Sequence, residues 1–197
     1  MKRILALLLV LSALLALAAC SKSPAVTEDE GTTLVYGSGD YTRINPAMDE
    51  HGEINVLLFS GLTAHNGSNE VVAGLAESWE YDESACTYTF HLRDAKWSNG
   101  DAVTAADFVF GWHRAVDPAT ASEYSYMLSD IGQVVNAAEI IAGEKPVTDL
   151  GVTAVDDKTL EVQLNVPVSY FLSLMYFPTF YPVNEAFYNT CADTFGT

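Results

Sequence analysis

The chain has 197 residues, 49% of them hydrophobic, and its 26 acidic against 9 basic side chains give a formal charge of −17. Such a polyanion argues against nucleic acid and anionic membrane surfaces as partners. The length and apolar content suffice for a core in one domain or two small ones.

Lys2 and Arg3 stand ahead of a nearly uncharged apolar run, residues 4–19. This is a positive n-region followed by a hydrophobic h-region, short of the ~20 apolar residues of a spanning helix. The run ends in Leu17-Ala18-Ala19-Cys20-Ser21, which resembles the bacterial lipoprotein box. There a cysteine thiol receives a diacylglycerol and becomes the new N-terminus, so the resemblance makes Cys20 the lipidated residue. The plainer alternative is an ordinary signal peptide that contains a cysteine. Loss of residues 1–19 would remove Lys2 and Arg3 and no acid, leaving the remainder more acidic by two charges. Two acyl chains on one cysteine meet the two-signal requirement for stable anchoring. Residues 20–31, small, polar and acidic, then read as a flexible tether that holds a body outside the membrane.

Residues 32–38 (TTLVYGS) read as a first strand, and Asn45-Pro46 as a turn. Residues 53–59 read as a short helix ended by Gly61, and residues 62–64 with 70–72 as a hairpin. A second hairpin joins 79–81 to 87–92 (TYTFHL), with Tyr88, Phe90 and Leu92 on one face and Thr87, Thr89 and His91 on the other. Residues 97–101 (WSNGD) form a turn in which Gly100 supplies a positive φ. Thr104 and Asp107 have capping-box spacing and open a helix over 105–116, with Phe108, Trp112 and Ala115 along one face and Asp117-Pro118 as its stop. A short helix over 136–142 closes at Gly143, and 152–155 with 160–164 form a third hairpin with Leu160, Val162 and Leu164 inward. Residues 169–175 and 184–188 read as two more helices, and Trp79, Trp97 and Trp112 as core. The mixture is α+β with mainly antiparallel hairpins. The chain stops at residues 193–197 with no helix end or strand to close it, and reads as cut rather than finished.

Beside Cys20, the remaining thiols are Cys86 and Cys191. Export permits a disulfide, and two unpaired thiols are the alternative.

Four pieces in order carry a wider resemblance: Gly74-Leu75-Ala76-Glu77-Ser78-Trp79, then residues 87–93 (TYTFHLR), 96–100 (KWSNG) and 103–108 (VTAADF). Together they resemble the family 5 solute-binding proteins of ABC importers. Residues 117–122 (DPATAS), 139–143 (EIIAG), 148–152 (TDLGV) and 156–162 (DDKTLEV) are similar to its oligopeptide-binding branch. The resemblance implies the N-terminal part of a two-lobed, type II periplasmic-binding-protein-like fold. Its parts would be residues 32–59 in lobe I, 60–170 as the extra inserted domain, and 171–197 as the return into lobe I.

In that branch an extended peptide is held through its main chain while roomy pockets accept varied side chains. The resemblance places Tyr124 at a ligand-contacting tyrosine, and the loop 47–52 with Asp49, Glu50 and His51 at a ligand-facing segment. The bland readings are ordinary packing for Tyr124 beside Tyr126 and Met127, and an acidic surface loop for the other three. Asp49, His51 and Glu53 alternate, but they share a face only in an extended strand, and Glu53 opens a helix, so no metal site is expected. No enzyme motif is present, and no cofactor is implied. The expected protein is a monomeric peptide-binding lipoprotein working with ABC permease subunits. The alternatives are a nickel-chelate or other small-solute binder of the same family, a peptide sensor, and a partial gene product.

Overall fold

Alternation between buried and exposed positions builds the central sheet. In the computed structural model, which describes residues 44–48, 54–191 and 194–196, β1 (Thr63–His65) and β2 (Val71–Ala73) form a small antiparallel ribbon. The larger sheet has four antiparallel strands: β3 (Ala76–Asp82), β4 (Thr87–Leu92), β5 (Val152–Asp156) and β6 (Thr159–Gln163), in the order β3-β4-β6-β5. Tyr88, Phe90 and Leu92 of β4 are buried. Phe90 lies opposite Leu160, and Tyr88 opposite Val162. On the other side of β6, Ala154 faces Leu160 and Val152 faces Val162. Each of these large side chains contributes roughly 1.5–3 kcal/mol by leaving water. The opposite face carries Glu80, Thr89, Glu161 and Thr153 in one cross-strand row, which keeps it solvated.

Short helices are α1 (Asn55–Leu58), α3 (Ala137–Ile141), α4 (Phe171–Leu174) and α5 (Glu185–Cys191). The long helix is α2 (Ala105–Val116), which packs on β5 and β6 with Phe108, Trp112, Ala115 and Val116 buried. Thr104 caps it as its spacing foretells, and Asp117 ends it. The Trp112 indole N–H donates to the Phe180 carbonyl at 2.9 Å, and the two rings meet edge to face. This satisfies a polar atom that complete burial would otherwise leave costly. A π-helical turn, Met127–Ile131, closes with the Gly132 N–H donating to Met127 O.

All three expected hairpins are present. Gly100 has φ +95° and Gly143 φ +75°, as the turn and the helix end require. Two tryptophans depart from expectation. Trp112 is core, but Trp79 and Trp97 are half-buried at its margin. Trp79 sits on β3, an edge strand, so only one neighbouring strand covers it. Trp97 sits on the turn after β4. The helix expected over 169–175 narrows to α4. Cys86 and Cys191 are free thiols, both half-buried. The expected strand at 32–38 lies outside the described residues.

All the described residues belong to one compact unit. Among the described residues no helix is long and apolar enough to cross a membrane.

Candidate functional site

Tyr124 is held on a tightly wound surface turn. The Asp117 carboxylate accepts from the Ala119 N–H at 2.9 Å, and Thr120 and Ala121 close back on Asp117 O and Pro118 O. Ala121 takes φ +53°, a left-handed conformation unusual for alanine. The following residues continue the winding, with Met127 N–H donating to Tyr124 O at 2.9 Å. This turn presents the Tyr124 ring half-buried, edge-on to Phe177 at 5.4 Å and tilted against Tyr126 at 6.0 Å. Tyr126 is 43% exposed. The residue before Phe177, Tyr176, is also exposed and lies 4.2 Å from the His65 ring, whose buried Nε2 has no hydrogen-bond partner. Ser122 is likewise buried with an unpartnered Oγ. Exposed rings on a rigid frame suit contact with a peptide backbone, because they offer apolar area and a polar tip at small entropic cost.

Asp49, Glu50, His51 and Cys20 lie outside the described residues. The residues just before that loop are well anchored. Asn45 is buried, its Oδ1 accepting from the Ala47 N–H at 3.2 Å and from Arg114 Nη1 at 3.4 Å. The Arg114 guanidinium lies 4.3 Å above the Tyr188 ring and 5.4 Å from that of Phe195. Ile44 N–H donates to Gly196 O at 2.8 Å.

A second feature was not anticipated. A cleft of about 610 Å³ opens beside α1, lined by Phe59, Arg93, Lys96, Trp97 and Phe187 among others. α1 itself exposes Val56, Leu57 and Leu58, at 44, 49 and 57%. Behind the cleft, Tyr181 stacks on Phe59 at 6.2 Å and donates its hydroxyl to Tyr176 O at 2.6 Å; burial pushes its pKa up to about 12. The cleft escapes sequence reasoning because its lining comes from separated stretches. The one local signal was the turn 97–101. Among the described residues no cluster of three His, Cys, Asp or Glu side chains is placed to hold a metal.

An α+β body with aromatic contact surfaces suits holding a ligand, and comparison gives that class a family. The profile described as "Bacterial extracellular solute-binding proteins, family 5 Middle" matches residues 70–196. The chain belongs to this family, whose members are binding proteins and not enzymes. It is 44% identical over 188 residues to the periplasmic oligopeptide-binding protein OppA of Escherichia coli, covering 90% of this chain and 34% of that one. It is 47% identical over 132 residues to the probable deoxycholate-binding periplasmic protein YgiS of the same organism, covering 66% and 24%. The crystal structure of Haemophilus influenzae OppA in complex with the peptide RPPGFSPFR superposes with a TM-score of 0.75 at 41% identity, over 79% of this chain and 31% of that one. The fold is therefore part of the type II binding-protein architecture. The chain spans about a third of the length of the OppA relative and less of the other.

Proposed function

We propose that the chain captures short peptides outside the cytoplasm and passes them to the permease of an ABC importer, as a monomer anchored by a lipid on Cys20. One observation carries the reading: 44% identity across 90% of the chain with a protein named for binding oligopeptides. The Tyr124 shelf supports it, since it offers a peptide an aromatic face on a stiff turn. Residues 60–170 are proposed as the inserted domain, flanked by lobe I segments 32–59 and 171–197. Asp49, Glu50 and His51 are proposed to border the ligand beside Tyr124, the two acids attracting its ammonium group.

Thermal unfolding of the purified chain with pools of di- to hexapeptides, with nickel with and without histidine, and with deoxycholate tests this. A peptide at 100 times its dissociation constant stabilises by about 2.7 kcal/mol. Tyr124→Ala should raise that constant about tenfold through loss of the aromatic contact. Stabilisation by nickel or deoxycholate with none by peptides would overturn the reading. In cells, radiolabelled palmitate should enter the chain and fail to enter Cys20→Ser. Label retained by that variant would remove the anchor from the proposal.

A further inference from the structure

The cleft beside α1 combines an apolar surface with a one-sided charge. Leu75, Val103 and Val183 line it and are themselves buried, while Phe59, Trp97 and Phe187 add ring surface. Among its described lining residues the charged ones are Arg93 and Lys96, with no Asp or Glu, in a chain where acids outnumber bases 26 to 9.

Among the described residues, two carboxylates stand behind the lining and are bonded to lining residues, not to Arg93 or Lys96. Asp107 Oδ2 accepts from the Trp97 indole N–H at 3.2 Å and from the Thr104 N–H at 2.8 Å. Asp101 Oδ2 accepts from the Asn99 and Asn184 amides at 2.7 and 3.1 Å. Asp94 pairs with Lys158 at 3.2 Å. Among the described residues, neither Arg93 nor Lys96 has an ion-pair partner.

Arg93 is held at its guanidinium and Lys96 through its backbone. The Arg93 Nε–H donates to Gly74 O at 2.8 Å, which orients the guanidinium and leaves its outer nitrogens available. Lys96 is fixed by a backbone bridge to Ala102. The bond to Asp107 fixes the Trp97 ring beside them. Two cations with no ion-pair partner among the described residues, next to an apolar wall, are complementary to a carboxylate on an apolar body. The size falls within the roughly 300–1,000 Å³ of small-ligand sites.

We infer that this cleft binds an apolar monocarboxylate, its oxygens accepting hydrogen bonds from Arg93 and Lys96 and its apolar body lying on Phe59, Trp97 and Phe187. The same chemistry is offered by the free C-terminus of an apolar peptide and by an alkyl acid. The inference does not depend on the peptide reading of Tyr124, which is not among the lining residues.

Titration of the purified chain with sodium decanoate, followed at the indole N–H resonance of Trp97 by NMR, tests it. Decanoate should saturate one site, and decanol should bind at least about tenfold more weakly, because it lacks the charge that Arg93 and Lys96 recognise. Arg93→Gln and Lys96→Gln should each weaken decanoate about tenfold. Lys96→Arg, which keeps the charge, should retain most of the affinity, and Tyr124→Ala should leave it unchanged. N-acetyl-leucyl-phenylalanine and its C-terminal amide form the second arm. Tighter binding of the peptide acid than of decanoate identifies a peptide C-terminus as the natural source, and the reverse order identifies a lipid acid. Equal binding of decanoate and decanol, wild-type affinity in both Gln variants, or an unmoved Trp97 resonance would overturn the inference.

Discussion

The Asp107 carboxylate in the first turn of α2 takes the indole N–H of Trp97 and both the N–H and the hydroxyl of Thr104, and it is 8% exposed. Burial raises its pKa, and the hydrogen bonds from Thr104 and Trp97 only partly offset that. A carboxyl with a raised folded pKa binds protons more readily folded than unfolded. Its charge therefore costs the folded state nothing below the ordinary aspartate range, and the cost grows as pH rises through the folded pKa. Asp107→Asn keeps an acceptor oxygen and removes the titration. Its deficit against wild type should be largest near pH 4 and shrink toward pH 7, read from urea unfolding at both values. A deficit that grows with pH would mean that the hydrogen bonds outweigh desolvation. Asp107→Ala removes the same titration and also the N3 acceptor of the capping box, so it should be less stable than Asp107→Asn by about 1 kcal/mol at either pH.

Among the elements, α2 gives the sharpest conflict between propensity and packing. Gly111 lies in its interior, where alanine is ordinarily better by about 1 kcal/mol. Yet a Cβ there would stand 2.7 Å from the Tyr181 carbonyl oxygen and 3.4 Å from the Val183 nitrogen. That backbone is tied to the helix by Val183 N–H donating to Asp107 O at 3.0 Å, so it cannot retreat freely. Gly111→Ala should therefore lower stability, by about 1–3 kcal/mol net of the propensity gain, measured by chemical unfolding. A stabilised variant would show that the 181–183 segment yields.

The same helix shows what was legible beforehand. Its cap, its stop and its buried face are local patterns of a few residues, as are the alternations of β4 and β6. The placement of β6 beside β4 was not legible, because it joins segments some seventy residues apart. Nor were the left-handed conformations of Ala121, Gln133 and Asn136. Tyr124 was recognised from a family pattern, while its partner Phe177 became visible only after folding. The cleft was invisible for the same reason, since its two cations acquire meaning only where the acids are seen to be paired elsewhere.

For the molecule as a whole, the excess of negative charge sets a cost that counter-ions relieve. A formal −17 makes the compact state repel itself. Raising ionic strength from about 0.01 M to about 0.15 M shortens the screening length from ~30 Å to ~8 Å. The unfolding midpoint of the chain should rise over that range, measured by circular dichroism in sodium chloride. A midpoint that falls would mean that local ion pairs such as Lys158 with Asp94 matter more than the global excess.

The hydrogen bond between Ile44 and Gly196 ties together the two ends of the described stretch. The backbone at residue 44 and the backbone at residue 196 therefore lie side by side, 2.8 Å apart from N to O. A force pulling residues 44 and 196 apart would load that hydrogen bond before it reached the four-stranded sheet.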